Sequence, residues 1–204
     1  MHASAKQLKK LGNSLGGKVA AKNYMEILAT ITEASLGFEQ SEISNPSQRI
    51  AVRAIVHDEH GRIALLHSTK KHYHKLPGGG VEENESLIDA LKRELREEIG
   101  CSAEIQGEVG TIFEERNLFS VHQTSHCFIT KKVGAMSQPT LTTDEIAEGF
   151  ETEWLSLDEA IATLEKESKA KISDHDAHYL ALFMVTRDLL FLKTSKGVGQ
   201  KTTA

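Results

Sequence analysis

The stretch Leu76–Cys101, LPGGGVEENESLIDALKRELREEIGC, sets three consecutive glycines before seven acidic side chains in eighteen residues. Pro77 lacks a backbone donor and Gly78, Gly79 and Gly80 lose much entropy when ordered, so this part reads as a loop. From Ser86 to Ile99 there is no Gly or Pro, and Leu87, Ile88, Leu91, Leu95 and Ile99 recur at helical spacing. An amphipathic helix follows, ended by Gly100. At about 100° per residue, Glu94, Glu97 and Glu98 fall on an arc directly beside the apolar stripe. Asp89, Lys92, Arg93 and Arg96 take the opposite, solvated side. Three carboxylates bordering a buried stripe are partly desolvated and repel one another, which costs stability unless positive charge compensates. A hard divalent cation such as Mg²⁺, held by carboxylates and shared with substrate phosphates, supplies that charge. Ala90, one turn earlier on the same arc, leaves room for it.

Arg93 lies two turns beyond Glu85 and can reach back to pin the loop to the helix. Gly79, Glu85, Arg93, Glu94, Leu95, Glu97, Glu98 and Gly100 together match Gly-x5-Glu-x7-Arg-Glu-U-x-Glu-Glu-x-Gly-U, with U a bulky aliphatic residue. This resembles the Nudix box, complete from Gly79 to Cys101 except that Cys101, a small buried-type hydrophobe, holds the last U place. With the flanking RIAVRAIVHDEHGRIALLHS and ETEWLSLDEAIATLE segments, the resemblance spans about Gln48 to Glu167.

The resemblance implies an α/β fold, a Nudix-type α/β/α sandwich around a mixed sheet. It also implies hydrolysis of a nucleoside diphosphate linked to another group, by water attack on phosphorus assisted by Mg²⁺, with Mn²⁺ as the alternative. Glu94, Glu97 and Glu98 would be the metal ligands, with one of them doubling as base toward the water. Arg93 and Glu85 would be the bracing pair, and Gly79 and Gly80 would let the backbone approach the phosphates. Relatives place a further carboxylate, here Glu145 or Glu148, in the acidic segment before Phe150. ADP-ribose-cleaving relatives tend to carry a proline beyond the box, and diadenosine polyphosphate-cleaving relatives a tyrosine. Here no Pro lies between Pro77 and Pro139, and no Tyr between Tyr73 and Tyr179. By exclusion the substrate expected is a nucleoside triphosphate or modified nucleotide. The alternative is a Nudix-type sensor that binds nucleotide without turnover, although such domains often lose one of the glutamates.

Composition agrees with one catalytic domain of 204 residues and formal net charge -5, with no basic stripe for extended nucleic acid. Cys101 and Cys127 give neither a disulfide framework nor a CxxC knuckle, which fits a reducing, cytoplasmic setting. No apolar run approaches the roughly 18 residues of a membrane span. The expected partner is a small nucleotide, with homodimerisation left open. Residues 1–24 carry Lys6, Lys9, Lys10, Lys18 and Lys22 and no acid, and read as a flexible or helical extension, an organellar presequence being the alternative. The domain proper is expected over 25–193 and a disordered tail over 194–204.

Strands are expected at Ile50–His57 and Ile63–His67 around a DEHG turn, and at Gln106–Phe113, Val121–Thr130 and Phe150–Leu155. Helices are expected after the Ser156 cap and over Asp174–Lys193. Glu26–Gln48 supports either strand or helix. His175 and His178, three apart near Asp174 and Asp176, have zinc-ligand spacing without a third ligand and read as a solvated helix start. His67, His72, His74 and Lys75 precede the glycines, where a cation can meet a phosphate oxygen. Trp154, Phe113, Phe128 and Tyr73 are candidates for base stacking, with core packing the default reading for the first three.

Overall fold

A computed structural model describes residues 25–198; the basic extension 1–24 and residues 199–204 lie outside the described residues. Seven strands run in the order β1-β5-β6-β2-β3-β4, with β7 paired to β3. They are β1 (Ile27–Thr32), β2 (Ser47–His57), β3 (Ile63–Ser68), β4 (Tyr73–Lys75), β5 (Ser102–Arg116), β6 (Val121–Val133) and β7 (Phe150–Leu155). The helices are α1 (Leu87–Ile99), α2 (Thr143–Glu148), α3 (Leu157–Glu167) and α4 (His175–Val198). Pairing is parallel for β1–β5 and β2–β6 and antiparallel elsewhere, so the sheet is mixed.

Each face of the sheet buries its own core, as a layered architecture requires. On one face Ala90, Leu91, Leu95 and Ile99 of α1 pack on Val52, Ala54, Val56, Ala64 and Leu66. On the other, Ala160 and Leu164 of α3 and Tyr179, Phe183 and Phe191 of α4 pack on Ile55, Ile63 and Leu65. Alternate residues of β2 and β3 thereby serve opposite cores, as the strand period of two dictates. The α/β/α arrangement expected from the sequence is the one observed.

The feature that positions the site is a split in the sheet. β2 and β3 join through the expected Asp58–Gly61 turn but share only the pair His57↔Ile63 before diverging. β3 goes on to pair with β4 and β7. The edge of β2 so released is taken by the glycine loop, through Ala54 N–H to Pro77 O, Val52 N–H to Gly79 O and Val81 N–H to Ile50 O, each 2.9 Å. The loop is therefore a loop in conformation yet strand-like in its hydrogen bonds. Gly78 has φ +127°, and a Cβ there would collide with the carbonyl of Val52, so only glycine lets the chain lie this close to β2.

Four segments depart from the sequence reading or resolve it. The ambiguous 26–48 segment forms β1 and a 3-10 turn at Ala34–Leu36, because β1 finds a parallel partner in β5 that local periodicity cannot reveal. Tyr73–Lys75 forms the short β4. The acidic segment before Phe150 is the helix α2, closed by a capping box between Thr142 and Glu145. Of the tail expected over 194–204, residues 194–198 instead belong to α4, which continues to Val198, with Ser195 bonded to Leu192 O and Lys196 to Asp158 on α3. Helix–helix contact there outweighs the poor local propensity of Thr194, Ser195 and Gly197.

Candidate active site

α1 starts at Ser86, whose side chain accepts from Asp89 N–H, and ends at Gly100 in the left-handed conformation. Between these stops its register carries Glu94, Glu97 and Glu98 to the mouth of the split. They line one cleft of about 560 Å³ together with Arg49, Arg53, Lys75, Gly78, Gly79, Gly80 and Glu145. Glu98 is 2% exposed and accepts from Lys75 Nζ at 2.9 Å and from Gly78 N–H. Burial pushes its carboxyl above the ordinary range, and Lys75 and Gly78 offset only part of that. Glu97, at the solvent edge, has a side chain 42% exposed. A Cβ on Gly79 would run into the Glu94 carboxylate, so that glycine keeps space open above an acid.

Arg93 gathers the box. It bonds Glu85 through Nε (3.0 Å) and Nη2 (2.9 Å), Gly80 O (2.9 Å), Glu94 (2.8 Å) and Glu97 (3.2 Å). Its bond to Glu85 leads a set that holds the guanidinium ionised, and in return Arg93 holds the Glu85 carboxyl below its usual value. The reach from Arg93 back to Glu85 expected from the two-turn spacing is present, and it ties loop to helix.

The cleft also holds residues to which the sequence reading gave no role. Arg53, 4% exposed, donates to its own neighbour's carbonyl, while its buried Nε has no partner. Burial, then the adjacent Arg187, pulls its guanidinium down to about 10. Arg49, four residues earlier on the same side of β2, donates to Gln123 at 2.6 Å. Behind them Glu114, fully buried, accepts from Arg116, Gln123 and Ser125 and lies 3.5 Å from Arg187 Nη1. Asp188 bonds Arg187 and accepts from Leu76 N–H, at the start of the glycine loop. The available signal was RIAVRAIV: Arg53 interrupts an apolar run that is buried from Ala51 to Val56, and a buried guanidinium demands anionic partners.

The remaining sequence candidates disperse. Glu145 lines the cleft, but one of its oxygens closes the Thr142 cap. Glu148 is not among the cleft-lining residues and bonds Lys71 and Tyr73. His67 and His74 turn away from the cleft, and His72 sits in a turn with φ 57°. His175 and His178 lie edge-on to Phe38. Phe128 is buried in the α1-side core, Trp154 packs against that core, Phe113 meets His122, and Tyr73 holds Glu148. None of these four aromatics lines the cleft.

With this geometry in place, comparison decides the family. The NUDIX domain model matches residues 47–176, more than half of the chain. The chain belongs to the NUDIX domain family. Among solved structures, a NUDIX hydrolase from Nitrosomonas europaea is similar, with TM-score 0.56 and 18% identity over 74% of this chain and 90% of that one. The MutT protein of Methanosarcina mazei Go1 is similar at TM-score 0.52 and 20% identity, over 77% of this chain and 99% of its own. The E. coli ORF135 protein is similar at TM-score 0.52 and 20% identity, over 80% and 99%. At these identities the likeness speaks to the Nudix fold. No curated protein matches the sequence. Beyond the matched segment lies α4 from Ala177 onward, which supplies Arg187 and Asp188 behind the cleft.

The box carboxylates fit a hard divalent cation. Three acids converge on one cleft, Glu98 is held there against burial, and Gly79 keeps the approach to Glu94 clear. Among the described residues no helix is long and apolar enough to cross a membrane.

Proposed function

We propose that this Nudix domain is a divalent metal-dependent pyrophosphohydrolase acting on a nucleoside triphosphate or modified nucleotide. The observation that carries the reading is the two-signed cleft: Glu94, Glu97 and Glu98 on one wall, Arg49, Arg53 and Lys75 beside them. A polyphosphate with its cation needs both signs within one space. Glu94, Glu97 and Glu98 would hold Mg²⁺ or Mn²⁺, which screens the diphosphate and lowers the pKa of water. Arg53 and Arg49, which line the cleft, would meet the phosphate oxygens and stabilise charge that grows as the bridging bond breaks. Gly79 and Gly80 admit the phosphates close to the backbone. Arg93 and Glu85 keep loop and helix in register. Water adds to phosphorus, its proton passes to a carboxylate of the cleft, and the P–O–P bond breaks toward the leaving phosphate. Glu97, the most open of the three box acids, is the base best placed to meet water.

The test is phosphate and pyrophosphate release from a panel of ordinary and modified nucleoside triphosphates and nucleoside diphosphate derivatives. Turnover with excess Mg²⁺, abolished by chelation and restored by Mg²⁺ or Mn²⁺, is expected. Metal-dependent nucleotide binding without turnover across that panel would instead identify a sensor.

A further inference from the structure

β4 sends adjacent side chains to opposite faces of the sheet. Lys75 goes to Glu98 of the box; His74 goes the other way, beside its β3 partner His67. The two imidazoles stack with centroids 4.3 Å apart and planes 6° from parallel. Glu153, two residues along β7 from the partner of His67, reaches both: Oε1 lies 3.1 Å from His67 Nδ1 and Oε2 lies 3.4 Å from His74 Nε2. One donor atom from each of the three residues falls within 4.8 Å of the other two.

We propose that His67, His74 and Glu153 form a second metal site, separate from the box, for Zn²⁺ or a similar borderline divalent cation. Four considerations support it. First, donors about 2.0–2.1 Å from a tetrahedral ion stand about 3.3 Å from one another, close to the spacing the Glu153 carboxylate keeps to the two histidines through Oε1 to His67 and Oε2 to His74. Second, the tautomer is set. Glu167, at the end of α3, accepts from the His74 backbone N–H at 2.9 Å and lies 2.6 Å from His74 Nδ1, so that nitrogen carries a proton and Nε2, which faces Glu153, is left as the nitrogen that can ligate. A carboxylate behind a ligating histidine is the usual outer support of such sites. Third, two nitrogens and one oxygen select a borderline cation over Mg²⁺, which prefers oxygen alone. Fourth, the ligands sit on three paired strands, a rigid base, while His67 and Glu153 stay part-exposed at 24% and 41% of their side chains. The fourth position therefore opens to solvent. Binding draws the more exposed His67 ring out of the stack so that its Nδ1 lone pair meets the ion. A proton on His74 Nε2, shared with Glu153, competes for the same place, so binding releases it.

The experiment is equilibrium dialysis of the purified chain against Zn²⁺, with parallel Co²⁺ titration read by visible absorption, both in excess Mg²⁺ to load the box. Wild type is expected to hold one equivalent more than His67→Ala, with the intense bands of tetrahedral Co²⁺ lost in that variant. Glu153→Gln, at a half-buried position, should lose the same equivalent, and Glu167→Gln should bind roughly 10- to 100-fold more weakly. Nucleotide turnover with Mg²⁺ should be unaltered in His67→Ala, which separates this site from the box. Equal stoichiometry and affinity in wild type, His67→Ala and Glu153→Gln, all folded by circular dichroism, would overturn the proposal.

Discussion

Two charge clusters meet at the cleft, and they are near mirror images in sign. On the α1 side Glu85, Glu94, Glu97 and Glu98 stand against Arg93 and Lys75. On the β2 side Arg49, Arg53, Arg116 and Arg187 stand against Glu114 and Asp188. Each cluster is left with an excess of one sign; the first meets the cleft through Glu94, Glu97 and Glu98 together with Lys75 and Arg93, the second through Arg49 and Arg53. They differ in depth. Glu97 opens the box to solvent although Glu98 beside it is buried, whereas Glu114, Arg187 and Asp188 are wholly buried throughout. An acid-rich cluster open to water can wait for a cation; a base-rich one sunk in the core must be internally bonded, and only its front, at Arg53 and Arg49, is free to meet an anion. The contrast separates a cluster built for binding from one built to hold its own charges in place.

The comparison breaks most readily at Glu114. Glu114→Gln leaves buried guanidiniums without their shared anion, and a loss of about 3–5 kcal/mol in unfolding free energy is expected in denaturant titrations. Burial alone would push Glu114 up, but Arg187 and Arg116 outweigh it and hold the carboxyl below its ordinary value. Its contribution is thus complete above the unfolded value of about 4.3 and disappears as pH falls through the lower folded value. The variant should show a flatter acid limb of stability than the wild type.

Next in size is Glu98→Gln. On the binding side, removing one box charge should reduce turnover at least ~10²-fold. Because burial raises the Glu98 carboxyl, ionised Glu98 costs stability at neutral pH, and the metal-free variant is expected to be no less stable than wild type. Turnover matching wild type at saturating Mg²⁺ would take Glu98 out of the metal set.

A smaller effect is expected at Arg53→Met, which removes a buried cation whose Nε lacks a partner. KM should rise by roughly 10-fold with little loss of stability, marking Arg53 as a phosphate contact rather than a structural charge. Smallest of all, Glu83→Gln, exposed in the loop, should leave stability within about 0.5 kcal/mol and turnover near wild type. A large effect there would mean that total charge, not placement, governs the site.

Which parts were legible follows from the range of the interactions involved. The helix from Leu87 to Ile99 and its Gly100 stop depend on neighbours within a turn or two, and periodicity displays them directly, whereas its Ser86 cap emerged only in the structure. The Ser156 cap of α3 depends on neighbours just as near. β4 was missed because three residues carry no period, and β1 stayed undecided because its partner β5 lies some eighty residues away. α4 overran its expected end into a turn that holds the buried Ser195, and burial against distant parts of the chain is not displayed by local periodicity.

The sequence by itself determined the acidic face of α1 and the Arg93–Glu85 brace, since a helix of fixed pitch converts residue spacing into direction without help from the rest of the chain. What stands opposite that face was decided by tertiary structure alone. β2 and β3 part after one pair, the glycine loop fills the vacated edge, and α4 brings Arg187 and Asp188 behind Arg53 from the far end of the chain. Those juxtapositions depend on which strands pair and where a helix docks. They are set by the packing of two cores at once, and no local pattern of residues encodes them.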